Sequence, residues 1–255
     1  MTEEEAAINW ADVSDARLRT MLQGAHDYET ACGGLDAIDE NVASALLGEA
    51  EQFYVWDHYP KGDSIDKKTH AQFFYHCHDD GGVIHRGVKL DDEHGHFHTF
   101  VRVKGFPDDI GDPVDIQVDN QPLGDKALAH LIAVSLDAAG EPTRLFTVNR
   151  WVTGETYYAA KDVIRLLDVF QLAPKGKWAL PNQWVSGLVA LYRPLVESLV
   201  RERDVEVFAY QARSDKNVYK DLDLEVISAA RIVPEGWIAT VRAEADRRGL
   251  APAAA

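Results

Sequence analysis

Eight of the ten histidines in this chain lie between residues 58 and 98, and this concentration constrains the fold more than any other feature. They are His58, His70, His76, His78, His85, His94, His96 and His98. Residues 69–78 and 94–103 are rich in aromatic and β-branched side chains, which is typical of β-strands. Histidines two residues apart share one face of a strand, about 6.6 Å apart at a rise of ~3.3 Å per residue.

Antiparallel pairing of these two strands would bring three or four imidazoles around one point. Imidazole is the commonest nitrogen ligand of transition metals, so the sequence predicts a site for one divalent ion, with Zn or Fe as first candidates and Ni or Cu as others. The predicted ligands are His76, His78, His94, His96 and His98. Three ligands and an open position would make a catalytic site, and four would make a structural one. A metal-free functional site and a structural histidine face are the alternatives.

Charged and polar side chains near these strands supply candidate catalytic and substrate-binding groups. Glu93 and Glu155 are predicted to transfer protons. Arg102 is in phase with the histidines of its strand, and Arg150 can hold a carboxylate or phosphate through two hydrogen bonds. A small-molecule pocket is predicted at the end of the fourth strand, lined also by Asn149, Trp151 and Thr153. The alternative is an ion pair of Arg150 with an acidic neighbour such as Glu155.

His58 and Asp63 flank a segment that reads as a turn, because Pro60 and Gly62 set its backbone. Both are predicted to lie outside the metal ligands and to orient a ligand imidazole through hydrogen bonds. Local hydrogen bonds within the turn are the alternative for Asp63.

The pattern of apolar residues predicts an α+β fold. An antiparallel sheet of about four strands is expected over residues 69–150, with its second hairpin at 130–149. Helices are expected at 14–32, capped by Ser14 and stopped at Gly33 and Gly34, and at 38–53. A later helix should be kinked or split by Pro194. We expect one domain, with a helical flank (1–56), the sheet and histidine-rich site (57–155), a helical C-terminal part (156–248) and a frayed tail (249–255).

Charge and composition narrow the partners. The formal net charge is −16, which disfavours nucleic acid and anionic membranes as partners and leaves a small molecule as the expected ligand. Residues 1–7 do not resemble an export signal, and no segment approaches the ~18 apolar residues that cross a bilayer. Only Cys32 and Cys77 are present, which agrees with the reducing cytoplasm. We therefore expect a cytoplasmic protein.

The segment 94–100 (HGHFHTF) resembles the signature of histidine-triad nucleotide hydrolases and transferases. In that family the middle imidazole attacks phosphorus, so the resemblance implies His96 as a nucleophile. Gly95 and Thr99 stand where the family has apolar residues. The His-x-His strand is also similar to the one that α-type carbonic anhydrases use with a third histidine from a neighbouring strand.

A longer resemblance, from residue 57 onward, is to an uncharacterised family of bacterial proteins. It is carried by the segments 58–63 (HYPKGD), 93–100 (EHGHFHTF) and 149–155 (NRWVTGE). This resemblance implies a shared site and brings no activity with it. The leading hypothesis is a metal-dependent hydrolase or oxidoreductase acting on a small molecule. A non-catalytic binder of metal, haem or a small anion and a metal-free histidine-triad-like enzyme are the alternatives.

Overall fold

A six-stranded antiparallel sheet forms the centre of the structure, a computed structural model that describes residues 8–47, 54–77, 84–85, 88–89 and 93–250. Its strands, in spatial order, are β1 (Tyr59–Ile65), β2 (Ala71–His76), β5 (Gly95–Arg102), β6 (Leu128–Leu136), β7 (Pro142–Val148) and β8 (Val226–Arg231). The short strands β3 (Ile84–His85) and β4 (Val88–Lys89) form a separate hairpin. This hairpin follows β2 in the chain, and β3 lies close to β8 at the far edge of the sheet.

The prediction of an α+β fold is confirmed, but the count of about four strands missed both edge strands of the sheet. β1 contains Pro60 and Gly62, which read as a turn in the sequence. An edge strand tolerates proline, and the pairing of β1 with β2 is irregular between Tyr59 and Ser64. β8 lies in the part of the chain that was expected to be helical. It is a short strand that pairs with β7 from a distant part of the sequence.

Seven helices complete the fold described here. They are α1 (Asp15–Asp36), α2 (Val42–Leu47), α3 (Arg150–Thr153), α4 (Ala160–Leu166), α5 (Ala179–Leu191), α6 (Arg193–Arg213) and α7 (Pro234–Arg247). Within the described residues, no helix is both long enough and apolar enough to cross a membrane.

The helix boundaries confirm two local predictions and correct a third. The Ser14 hydroxyl accepts a hydrogen bond from the Arg17 amide at 3.2 Å, so it caps α1 as expected. The break between α5 and α6 falls beside Pro194, because a proline amide cannot donate within a helix. The expected stop at Gly33 and Gly34 was wrong, since α1 continues to Asp36. Residues 48–53 of the second predicted helix lie outside the described part of the chain.

The two faces of the sheet bury different kinds of side chain. One face carries Phe73, Tyr75 and Phe97 into the main apolar core, where Phe97 lies 5.5 Å from Trp184 of α5, measured between ring centroids. We call the other face the histidine face. It carries His76, His96 and His98 together with Phe74, Ala133 and Phe146. The alternation of strand side chains therefore separates the helix-packed core from the polar site.

Helices α1 and α5 cross in close contact, with Gly24 facing Gly187. A Cβ added to Gly24 would lie 2.6 Å from the Leu191 amide nitrogen and 2.7 Å from the Gly187 carbonyl oxygen. Both are backbone atoms, so relief requires the two helices to move apart. Small residues at this crossing are therefore a packing requirement of the fold.

We expect Gly24→Ala to lower the free energy of unfolding by about 1–3 kcal/mol through overpacking. Gly33→Ala is the matched control, because it lies on the same helix and its added Cβ would meet nothing within 4 Å. That control should be neutral or up to about 1 kcal/mol more stable, since alanine favours helix over glycine. Urea unfolding monitored by circular dichroism measures both. Equal effects of the two substitutions would contradict this account of the helix crossing.

Candidate metal centre

Three imidazoles converge on the histidine face because of the register between β2 and β5. His76 lies directly opposite His96, and Phe74 lies opposite His98. The Nε2 atom of His96 lies 2.8 Å from Nε2 of His76 and 3.1 Å from Nε2 of His98. We call these three residues the histidine cluster. All three are buried, and each offers a nitrogen within 4.8 Å of the others.

Two separations between these nitrogens match those of ligands on a single metal ion. With metal–nitrogen bonds of about 2.0–2.1 Å, ligand nitrogens lie about 2.9 Å apart at a right angle and about 3.4 Å apart at a tetrahedral angle. The observed separations of 2.8 and 3.1 Å lie near the first value. The histidine cluster is therefore a group that could hold a metal ion.

A buried carboxylate orients the central imidazole of the cluster. Oε1 of Glu93 lies 2.8 Å from Nδ1 of His96, and its Oε2 accepts a hydrogen bond from the Ser135 hydroxyl. A carboxylate oxygen accepts hydrogen bonds, and when Nδ1–H of His96 donates to Glu93, Nε2 of His96 keeps its lone pair. Carboxylate–histidine pairs of this kind orient metal ligands in proteins. Both oxygens of Glu93 have hydrogen-bond partners, and its expected role in proton transfer stays a prediction.

A fourth histidine lies behind the cluster. Nε2 of His130 lies 3.1 Å from Nδ1 of His98, because a bulge in the β5–β6 pairing places His130 opposite Phe100. Burial lowers the pKa of His130 to about 3, with a further contribution from the positive charge of Arg203. His130 is therefore neutral at physiological pH. When His98 uses Nε2 as a ligand, His130 can accept the hydrogen bond from its Nδ1–H.

The structure does not bring every predicted ligand to this point. His94 was expected to share a face with His96 and His98, and this expectation was wrong. β5 begins at Gly95, so the strand alternation does not include His94, which occupies an exposed bend. Its Nδ1 lies 2.8 Å from the Tyr75 hydroxyl, whose ring belongs to the helix-packed core. The predicted ligand His78 lies outside the described residues.

The predicted substrate anchor Arg150 holds two chain segments together. Its Nε donates to the Glu155 carbonyl at 3.1 Å, and its Nη1 and Nη2 donate to the side chain and backbone of Asn120, both at 2.8 Å. Arg150 is buried, so these bonds satisfy a guanidinium that would otherwise be costly to bury. They use one N–H group on each of the three guanidinium nitrogens, and a role of Arg150 as substrate anchor stays a prediction. The hydrogen bond of Arg150 to Glu155 is made to the backbone carbonyl, while the charges of the two side chains also attract each other.

The polar residues around Arg150 anchor the same segment. Asn149 donates to the carbonyls of Val218 and Leu224 at 2.8 and 2.9 Å, and the Trp151 indole donates to Leu224 at 2.9 Å. The Thr153 hydroxyl is buried, and no described residue is within hydrogen-bond reach of it. These contacts fasten α3 to residues 218–224. Their role in substrate binding remains a prediction.

Glu155 is a buried carboxylate behind the histidine cluster. Its Oε2 accepts the His130 amide at 2.6 Å, whereas its Oε1 meets no hydrogen-bond donor among the described residues. Burial raises the pKa of Glu155 to about 7, although Arg203 opposes the shift. Glu155 accepts its hydrogen bond from the backbone of His130, the histidine behind the cluster. It is placed to influence the cluster through His130.

The raised pKa of Glu155 predicts a pH-dependent stability. Between its ordinary pKa of 4.5 and the folded value of about 7, the unfolded chain releases the proton and the folded chain keeps it, so stability falls as pH rises through this range. The Glu155→Gln variant has no carboxyl group to ionise at this position, so it avoids this loss of stability at high pH. Measured by urea unfolding of chelator-treated protein, the variant should gain about 3 kcal/mol over the wild type on going from pH 4.5 to pH 8.

Exposed Glu40→Gln is the control for this measurement and should follow the wild type at every pH. A constant difference between Glu155→Gln and the wild type across the range would show that the carboxylate is not penalised in the folded state.

Four side chains form a hydrogen-bonded chain beside the cluster. Nη1 of Arg102 donates to Gln72 at 2.7 Å, Gln72 donates to Asp63 at 2.6 Å, and the other Asp63 oxygen lies 3.1 Å from Nδ1 of His58. The His58 ring lies 6.0 Å from the His76 ring, edge to face. Hydrogen bonds from His58 and Asp63 to a cluster imidazole were expected, and these contacts instead join the two residues to each other and to Gln72. Their expected role in orienting a ligand imidazole stays a prediction.

Sequence reasoning alone missed Ser135 and His130, the two residues of β6 that support the cluster. Both are single polar residues in an apolar strand, and only the strand register shows that they face His96 and His98. The sequence held one signal for them. A polar residue within an otherwise apolar strand, close in sequence to the histidine-rich strands, indicates a buried polar contact.

Comparison with known proteins agrees with the expectation of an uncharacterised family. Residues 22–232 match a family described as a domain of unknown function, DUF6969, a range that contains the whole histidine cluster and its supporting residues. Searches of curated proteins and of solved structures gave no match. The match covers most of the sequence, and the chain therefore belongs to the DUF6969 family.

Proposed function

We propose that this protein binds one divalent transition metal ion through the histidine cluster and uses it to catalyse a hydrolytic or oxidative reaction on a small molecule. The observation that carries the proposal is the convergence of three buried Nε2 atoms at separations that suit metal ligands. The Glu93 carboxylate supports it, because it directs the lone pair of His96 toward the other two nitrogens.

The three histidines of the cluster match the number of protein ligands in a catalytic site. Structural zinc sites are closed by four protein ligands, whereas catalytic sites use three and leave a position open. Among the described residues, the group that could hold a metal consists of three histidines. An ion held in this way would lower the pKa of coordinated water, and iron or copper would add redox chemistry. The ligands are neutral, so the ion would keep its full positive charge toward the substrate.

The surroundings of His96 count against the histidine-triad alternative. A nucleophilic imidazole needs a free ring nitrogen with a clear line of approach to phosphorus. In His96, Nδ1 faces Glu93 and Nε2 faces two other imidazoles, and the side chain is 2% exposed. A non-catalytic metal binder would use the same residues, and assays for turnover separate it from an enzyme.

Untagged protein purified without added metal or chelator should contain about one equivalent of a transition metal. His96→Ala and His98→Ala should lose it, because each removes one of the three ligands. His94→Ala is the matched control and should keep it, since His94 is exposed and its Nδ1 contacts Tyr75. Elemental analysis by mass spectrometry measures all four proteins, with circular dichroism to confirm folding.

Loss of metal in His94→Ala would show that the histidine cluster is not the correct set of ligands. Absence of metal from the wild type, together with no uptake of Zn, Fe, Ni or Cu on titration, would reject the metal site and leave a hydrogen-bonded histidine face.

The contact between Glu93 and His96 predicts a graded effect on metal affinity. Glu93→Gln should weaken binding by about 10–100-fold, because the amide cannot enforce the Nδ1–H tautomer as a carboxylate does. Ser135→Ala removes the second partner of Glu93 and leaves the His96 contact in place, so its effect should be smaller. Competition with a chromogenic chelator measures both affinities. The reverse order, with Ser135→Ala the weaker binder, would refute the orienting role of Glu93.

A further inference from the structure

The three imidazoles of the cluster are not equally buried. The exposed fraction is 1% for His98, 2% for His96 and 8% for His76. His76 lies on β2, beside the edge strand β1, whereas the other two lie on β5 further inside the sheet. His76 is therefore the most exposed of the three imidazoles, and the residues around its ring are the ones placed to meet an arriving molecule.

Two aromatic rings stand edge to face against His76 on this side. The Trp56 ring lies 6.2 Å from it at an interplanar angle of 84°, and the His58 ring lies 6.0 Å away at 81°. Trp56 is 57% exposed, and the His58 side chain is 44% exposed. A large apolar ring and an imidazole are thus both accessible next to the outermost ligand of the cluster.

Trp56 is held in this position at a conformational cost. Its φ angle is +68°, in the left-handed region that a bulky side chain rarely adopts and that costs about 1–3 kcal/mol. The Trp56 amide donates to the Cys77 carbonyl at 3.0 Å, which fixes this turn to the end of β2. Strained residues of this kind concentrate at ligand-binding sites.

His58 is fixed in orientation. Its ring stacks on Phe74 at a centroid distance of 3.6 Å and an angle of 6°. Its Nδ1 lies 3.1 Å from Asp63, which is held in turn by Gln72. Asp63 can accept the hydrogen bond from Nδ1–H of His58, and in that tautomer of the neutral ring Nε2 carries a lone pair. A fixed hydrogen-bond acceptor therefore lies beside the cluster.

We propose that Trp56 and His58 contact the substrate at the mouth of the metal site, and that this substrate is a planar, conjugated small molecule with an N–H or O–H donor. The inference rests on the proposed function. Trp56 offers the face of its ring for stacking, which suits any flat π-system. His58 Nε2 accepts the hydrogen bond from the donor. A ring face and a ring nitrogen select a substrate by its shape and by its hydrogen-bond donor.

Two hydroxamates test the inference, because benzohydroxamate and acetohydroxamate share a metal-binding head and an N–H donor and differ in the aromatic ring. Binding to metal-loaded protein is measured by isothermal titration calorimetry. Trp56→Gly removes the ring and suits the positive φ. It should keep the metal and weaken benzohydroxamate at least tenfold, with less than a threefold change for acetohydroxamate. Trp56→Phe should lie between this variant and the wild type.

His58→Ala should weaken both hydroxamates alike, because both carry the donor. Phe208→Ala, at a residue 78% exposed on α6, is the control and should change neither. The inference is overturned if Trp56→Gly affects the two probes equally or not at all, if it loses the metal, or if His58→Ala binds both probes normally. A wild-type protein that takes up no metal overturns the proposed function itself, which separates the two failures.

Discussion

The antiparallel register between β2 and β5 is the constraint on which the site depends. It places His76 opposite His96, so two strands contribute side chains to one point without any loop between them. Side chains alternate with a period of two, so a slip of one residue would turn one set of imidazoles into the core. The apolar residues enforce the register, because Phe73, Tyr75 and Phe97 must face the helices at the same time. Packing of the core therefore also determines the geometry of the cluster.

Burial of three imidazoles requires that their polar atoms have partners, and the neighbouring strands provide them. Glu93 and Ser135 serve His96, and His130 serves His98. These partners lie on the far side of the cluster from His76, which faces Trp56 and His58 near the solvent. The centre thus has a fixed inner side built from strands and an outer side built from the turn before β1. This asymmetry is what a site needs if it holds an ion firmly and still exchanges substrate.

The sequence was informative where local pattern determines structure. Alternation placed His96 and His98 on one face, and the proline at 194 marked the break between two helices. The sequence was misleading where tertiary contacts determine the structure. His94 continues the alternation in sequence, but the strand begins one residue later. The edge strand β1 contains Pro60 and Gly62, and nothing in the sequence alone shows that β2 pairs with it. His130 and Ser135 join the site only through the register of β6, which no local pattern reveals.

X-ray absorption spectroscopy at the edge of the bound metal tests the central claim most directly, because it counts imidazole ligands without depending on activity. We predict that the wild-type protein shows three imidazoles at about 2.0–2.1 Å, with oxygen atoms completing the shell. His96→Gln should lower the imidazole count or abolish binding. A shell containing sulfur, or one with no imidazole scattering, would contradict the proposal that the histidine cluster is the metal site.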